Sequence, residues 1–440
     1  MKKKLVIYFF GNIGTKLISL IMVPLYTSYI SPADFGYFDY WLTIINLLII
    51  VISLQLYEGT YTNLLKIKNG NEDNKEVLQN KEVSSIMSIM ILQIFLALII
   101  IGICFILEFK FACLSFVIVI LNIIFSTLNN GIARGYEENK LMAISGFISA
   151  LFILTSTLIL VKYPELLGIE KVIGLFLGQI IGLSIAIIFL LIILLKKKII
   201  NKDSFRINFS LNNAHYKKLL IFSLPLVPNT ISWWIMNVSD RFLIIEFLSS
   251  AHNGIYAIAN KLPALIFMVN AIYNLAWQDE AIKTAKNEAA NIVYKKQLMI
   301  YVYLQYSFLI LFTIFLPLFS PLIIKNDFSE ANIYIPLLTL AAVFSGISSF
   351  YGTFYFSTGK TKGAFYTSLW GALLNIILNV SLIKYLGLFA PVIGTIAAFL
   401  LMLILRGISF QRILSVKFPY KTIIILTSIF LAVYYLIYWW

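Results

Sequence analysis

Acidic residues, histidine and cysteine are all scarce in this chain. Of 440 residues, 20 are Asp or Glu, 2 are His and 2 are Cys. Two cysteines exclude a disulfide-built scaffold. Cys104 and Cys113 flank one short loop in apolar surroundings and are expected to fill space rather than pair. His215 and His252 lie far apart in loops, so no Cys/His metal cluster is expected, and no Asp-x-Asp pair offers an acidic metal motif. Charge is thin overall. Charged residues make up 12% of the chain, where a soluble domain carries about a quarter, and mean hydropathy is +0.90. A water-soluble core is thereby excluded. What is present is apolar: 60% of residues are hydrophobic and 15% aromatic, the composition of an all-α polytopic membrane protein.

Thirteen apolar stretches fall at 5–30, 38–62, 84–107, 113–131, 141–162, 172–195, 217–240, 253–278, 297–324, 332–357, 363–384, 388–408 and 421–440. Each is close to the roughly 20 residues that a membrane helix needs, and almost nothing remains for a soluble domain. The first is too long for a signal-peptide core and lacks a cleavage pattern, so it is expected to stay in the mature protein. With the N-terminus inside, 26 of the 34 Lys and Arg fall in inner loops, 6 outside and 2 within spans. Arg406 is counted here with the inner-loop cations and Arg241 with the outer ones. That bias sets the orientation, with a cytoplasmic N-terminus and an outer C-terminus whose Tyr438-Trp439-Trp440 suits an interfacial aromatic belt. The net charge of +14 is thus a topology signal and implies no nucleic-acid partner.

The two halves echo each other. Ser31-Pro-Ala-Asp-Phe-Gly36 after span 1 matches Ser249-Ser-Ala-His-Asn-Gly254 after span 7 at a shift of 218 residues. Ala133-Arg-Gly-Tyr-Glu-Glu-Asn-Lys140 after span 4 matches Ser357-Thr-Gly-Lys-Thr-Lys362 after span 10. An even number of spans per half keeps both copies in one orientation, related by a pseudo-two-fold axis along the membrane normal. The expected layout is an N-terminal lobe over 1–198 (spans 1–6), a cytoplasmic linker over 199–216, a C-terminal lobe over 217–411 (spans 7–12), and a thirteenth helix over 412–440. Thr358-Gly-Lys-Thr361 resembles the end of a phosphate-binding loop, but six residues separate Gly352 from Gly359 where that loop needs four. No ATP site and no other cofactor is expected.

Ionisable and polar residues inside spans are the candidates for function. Lys16 lies near the middle of the stretch Leu5–Ile30, where a lysine costs about 2.5–3.5 kcal/mol. Asn12, Lys16 and Ser19 share one helical face, lining either a cavity or a polar seam between helices. On span 7, Asn229, Trp233 and Asp240 run along one face after Pro225 and Pro228. Trp233 either stacks on a sugar or sits in the outer aromatic belt, and Asp240-Arg241 lies at the outer helix end, where a solvated ion pair is the simpler reading. Span 8 carries Lys261, which faces the cavity or snorkels outward, followed by Pro263, Asn270 and Asn274. Glu58, near the inner end of span 2, is the one carboxylate placed well inside a span end. It is a candidate for ion coupling or for pairing with a cytoplasmic cation.

Ser223-Leu-Pro-Leu-Val-Pro-Asn-Thr-Ile-Ser-Trp-Trp234, then Asn237-Val-Ser-Asp-Arg241, resembles the start of the second lobe in bacterial polysaccharide-repeat flippases. These carry O-antigen and capsule units and belong to the multidrug/oligosaccharidyl-lipid/polysaccharide exporter superfamily. Gly11 to Gly36, with Pro24 and Ala33-Asp34-Phe35-Gly36, is similar to the same family, and the resemblance covers nearly the whole chain. It implies a multi-pass protein of the bacterial plasma membrane, not an enzyme, that moves an undecaprenyl-diphosphate-linked oligosaccharide from the inner to the outer leaflet. It further implies a cationic cavity lined by spans 1, 2, 7 and 8, and partners drawn from membrane lipids and the polysaccharide polymerase and export machinery. The chain is expected to act as a monomer. An ion-coupled drug antiporter of the same superfamily is the alternative, but cationic drugs want buried carboxylates where this sequence has lysines. A membrane glycosyltransferase lacks its long outer loop and acidic motif here, and a scaffolding role leaves the buried lysines unexplained.

Overall fold

The computed structural model describes residues 14, 18–69, 74–166, 168–205, 214–267, 270, 273, 290–357, 361–414 and 417–439. Among them no strand occurs, and eleven helices are long and apolar enough to cross a membrane. These match predicted spans 2–7 and 9–13, so the chain is a multi-pass helical membrane protein. Spans 1 and 8 are described only in part, by α1 (Ile18–Tyr29) and α11 (Ser250–Ala259).

The first sequence echo is a pair of helix starts. α2 (Pro32–Ser53) opens with proline at its first position, where its missing N–H costs nothing. The Ser31 hydroxyl accepts the Asp34 backbone N–H at 3.1 Å and donates to the Asp34 carboxylate at 2.8 Å. At α11, Ser249 takes the His252 backbone N–H at 3.3 Å and lies 2.7 Å from its Nδ1. Both are side-chain caps on otherwise orphaned N–H groups. α2 therefore begins six residues earlier than the predicted span 2, because the capping turn starts the helix before the apolar run does.

Several predicted spans are interrupted. α2 stops at Ser53; Leu54 and Gln55 then take left-handed backbone, with φ of 48° and 55°, before α3 (Leu56–Asn69) resumes. The Gln93 amide donates to the freed Ile52 carbonyl at 2.7 Å, so the break is satisfied within the protein. Span 7 becomes α8 (Ala214–Ser223), α9 (Leu226–Val238) and α10 (Asp240–Phe247), with Pro225 at the first break. The other helices are α4 (Lys75–Ile106), α5 (Lys110–Ser126), α6 (Asn139–Lys162), α7 (Lys171–Lys196), α12 (Ala290–Ile323), α13 (Ala331–Ser357), α14 (Thr361–Leu386), α15 (Phe389–Leu414) and α16 (Tyr420–Tyr438). A π-helical stretch, Thr127–Ala133, prolongs α5, and its Asn129 side-chain oxygen takes the Ser145 hydroxyl at 2.8 Å. Both cysteines are free.

The chain forms two compact units, Met1–Met22 with Tyr40–Ile231, and Val23–Asp39 with Ser232–Trp440. The division runs through α1, α2 and α9 rather than through loops. In the second unit α13 is the buried centre, with 83% of its span covered against 17% for α16. α16, the thirteenth span, is tied to α12 by Tyr306–Thr427 at 2.6 Å and to α13 by the Tyr434 hydroxyl on the Ile333 carbonyl at 3.1 Å.

Within the second unit the two capping turns meet. A Cβ on Gly36 would lie 1.8 Å from the Ser250 carbonyl oxygen, and one on Gly254 would lie 2.0 Å from that of Pro32. Gly36 corresponds to Gly254, and Pro32 to Ser250, at the 218-residue shift. The contact is therefore reciprocal, with each copy's glycine seated on the other's first helical residue, as in an isologous interface. Only glycine permits that approach. Asn253 adds a 2.7 Å bond to the Gly36 carbonyl.

Candidate functional site

Buried ionisable groups in the second unit form two centres. The first is built where α10 meets the ends of α2, α11, α14 and α15. Asp240 is 1% exposed, and its carboxylate accepts from the Tyr256 hydroxyl at 2.5 Å, the Asn379 amide at 3.0 Å and the Thr395 hydroxyl at 3.2 Å. Asn375 joins through its side-chain oxygen, 3.2 Å from the Asn379 amide nitrogen. The Asn379 amide oxygen, fully buried, has no hydrogen-bond partner. The neighbouring Arg241 turns elsewhere: its Nε donates to Asp39 at 2.7 Å and an Nη to the Asn237 carbonyl at 3.1 Å.

Asp240 and Arg241 thus depart from the solvated pair that the sequence suggested. Both are buried, and the guanidinium's carboxylate partner is Asp39, 202 residues away. The helix end that looked solvent-facing in sequence packs against α2 through Asp39. The three neighbours of Asp240 donate to its carboxylate, and the Asn379 amide oxygen is a further buried oxygen beside it. Such a set suits a proton or a hard monovalent cation, and nothing in it suits a soft metal.

The second centre is Arg406, 3% exposed on α15. Its Nε donates to Thr367 at 3.0 Å, and its terminal nitrogens donate to the Ser348 carbonyl at 3.0 Å and the Ser368 hydroxyl at 3.1 Å. The guanidinium lies over the Trp233 ring at 5.8 Å, and that ring also meets Phe399 at 6.2 Å. Trp233 therefore points into the unit, not into an interfacial belt, and Arg406 is a buried cation rather than an inner-loop one. Arg406 was legible only as a charge two residues inside the predicted end of span 12, where snorkelling is the ordinary expectation.

The remaining candidates scatter. Asn12, Lys16 and Asn274 lie outside the described residues. Ser19 on α1 and Asn229 on α9 are partly buried in the first unit. Lys261 is partly exposed in the turn that ends α11 before Pro263. Asn270 is absorbed by packing: its side-chain oxygen takes the Tyr301 hydroxyl at 2.7 Å and the Gln305 amide, leaving it 4% exposed. Glu58 pairs with Arg134 at 3.5 Å, both side chains about a third exposed, and Arg134 stacks on Tyr61 at 3.9 Å. Nor is Glu58 the sole carboxylate inside a span: Asp39, Glu82 and Asp240 are more deeply buried. Glu82 escaped notice because α4 starts well before its apolar run, and Asn63 holds it at 3.1 Å.

The fold is shared with solved transporters. The lipid II flippase MurJ in an inward closed conformation superposes with a TM-score of 0.71 at 14% identity, over 98% of this chain and 92% of that one. The MATE multidrug transporter DinF-BH gives 0.64 at 14% identity, over 94% and 95%. An inward-facing multidrug resistance MATE transporter of the MOP superfamily gives 0.60 at 14% identity, over 91% and 94%. Among curated proteins no sequence matches. The family profile described as "Polysaccharide biosynthesis protein" matches residues 1–277, more than half of the chain. The chain belongs to the polysaccharide biosynthesis protein family.

Proposed function

We propose that this protein is a flippase that carries undecaprenyl-diphosphate-linked oligosaccharide repeat units, of the kind used for O-antigen or capsule, from the inner to the outer leaflet of the plasma membrane. The reading combines the family with the transporter fold, and one observation carries it furthest: a guanidinium buried over a tryptophan inside a membrane bundle. A diphosphate requires cations at low dielectric, and sugar rings require aromatic faces. Lys16 and Lys261 supply further positive charge on spans 1 and 8. Transport proceeds by alternating access between two six-span lobes, with the broken span 7 and the Pro263 turn as points of compliance.

Asp240 fits the role of coupling group better than Glu58. It is buried among neutral hydrogen-bond donors, whereas Glu58 is part-exposed and engaged by Arg134. Binding of a proton or monovalent cation there would link transport to an ion gradient. In sealed vesicles, Asp240→Asn should abolish the gradient dependence of transport while Glu58→Gln retains it. Unchanged transport after every gradient is collapsed would remove ion coupling.

The reading itself is tested by leaflet-resolved quantification of lipid-linked oligosaccharide in cells with wild-type protein, none, or Lys16→Ala. Inner-leaflet accumulation in both the null and the variant supports a flippase with a cationic diphosphate site. Accumulation in the null alone keeps the function and demotes Lys16. No accumulation in either favours the drug antiporter.

A further inference from the structure

A groove of about 820 Å³ runs along the first unit between the α2–α3 break, α4 and α8. Its walls are aliphatic, from Val51 and Leu54 on one side, Leu92 and Leu96 on the second and Leu220 and Ile221 on the third. Its one buried amide is consumed: Gln93 donates to the Ile52 carbonyl. An open apolar trough of this size in a membrane-spanning bundle is filled by hydrocarbon rather than by water. It also opens to the lipid, since Leu96 is 52% exposed and Ile221 is 64% exposed.

Two further observations say what fills it. The groove lies beside the break between α2 and α3, where Leu54 and Gln55, two non-glycine residues, take φ of 48° and 55°. Strain of that kind, held by a dedicated side-chain bond, concentrates at sites that bind or move. The single cation in the lining is Lys217, exposed in the first turn of α8. α8 is itself pinned to α3, because Gly59 has no Cβ and one there would lie 2.5 Å from the Ser223 hydroxyl. The α8 wall thus packs closely on α3, with the Lys217 ammonium at its start and Leu220, Ile221 and Leu224 lining the groove beyond.

We propose that this groove holds the polyprenyl chain of the carried lipid, with its diphosphate beside Lys217. The proposal rests on the flippase reading above and adds a place for the tail. An apolar trough open along its length, ending at a cation on the basic side of the bundle, complements an amphiphile with a long branched tail and an anionic head. The tail stays in the bilayer's apolar region while the head crosses, so the protein needs no cavity large enough for the whole molecule.

The test uses the full-length protein in phosphatidylcholine nanodiscs and a polyprenyl diphosphate bearing a benzophenone on its tail. After irradiation, adducts are mapped by peptide mass spectrometry. Adducts are expected within residues 89–100 and 216–224, displaced by unlabelled undecaprenyl diphosphate but not by the same mole fraction of phosphatidylglycerol. Leu96→Trp, at a side chain exposed enough to accept the larger ring, should cut that labelling about tenfold. Lys217→Glu should lower it severalfold, and both variants should elute as the wild type does on size exclusion. Displaceable adducts elsewhere on the protein would overturn the groove while leaving the flippase reading intact. Equal displacement by phosphatidylglycerol would overturn the tail assignment in favour of an ordinary lipid site. Absence of any displaceable adduct would overturn both.

Discussion

The ion pairs of the two units differ, although each unit also buries a carboxylate beside a neutral side chain, Glu82 in the first and Asp240 in the second. In the first, ion pairs are numerous and wet: Lys68–Glu137 at 2.8 Å, Lys197–Glu138 at 2.6 Å and Arg134–Glu58 at 3.5 Å all keep about 30–44% of each side chain exposed. In the second, Asp39–Arg241 is closed at 2.7 Å with 10% or less exposed, and Asp240 and Arg406 are sealed among neutral partners. A wet pair can be lost and replaced by water. A sealed charge has no such recourse, so its retention against the cost of burial points to use. The wet pairs all gather at the segment 134–138, whereas the sealed charges sit within or at the starts of helices.

This contrast can be broken by substitution. Arg241→Met leaves Asp39 buried without its guanidinium and should cost about 3–5 kcal/mol, seen as a collapse of the unfolding temperature in detergent. Asp39→Leu combined with Arg241→Met should recover most of that loss. If Arg241→Met alone melts like the wild type, the sealed pair is no different in kind from the wet ones. Gly254→Ala places a methyl within 2.0 Å of the Pro32 carbonyl and should destabilise by about 1–3 kcal/mol, with Gly36→Ala matching it if the contact is truly reciprocal. Arg406→Lys keeps the charge but loses the fork that reaches Thr367, Ser348 and Ser368 together, and should cost about 1–2 kcal/mol. Smallest of all, Glu58→Gln should shift stability by less than about 1 kcal/mol, and less still at high salt. A Glu58→Gln effect as large as that of Arg241→Met would erase the distinction.

The helical membrane architecture was legible because span-length apolar runs and the lysine bias announce it directly. Ser31 to Gly36 and Ser249 to Gly254 were legible as matching segments, and both are helix caps in the structure, since capping residues and close-approach glycines leave a local signature. What the sequence hid was long-range. Arg241's partner stands 202 residues away, and Asp240's ligands come from Tyr256, Asn379 and Thr395. No periodicity reports such meetings. The break at Leu54–Gln55 was hidden because neither residue is Gly or Pro, and its support, Gln93, lies on another helix. Glu82 and Arg406 were misplaced because span ends were drawn from hydropathy, while the helices continue beyond their apolar runs. Lys16, the residue that the sequence ranked first, lies outside the described residues, so its role rests on sequence.

The most direct test of the central claim is translocation by the purified protein in proteoliposomes. A defined undecaprenyl-diphosphate oligosaccharide is placed in one leaflet, and its arrival in the other is read by an impermeant glycosidase. Protein-dependent arrival is expected, and it should be lost when the diphosphate is replaced by a neutral polyprenyl ether carrying the same sugars. Arrival of both lipids at equal rates, or of neither, would contradict a flippase that recognises the diphosphate.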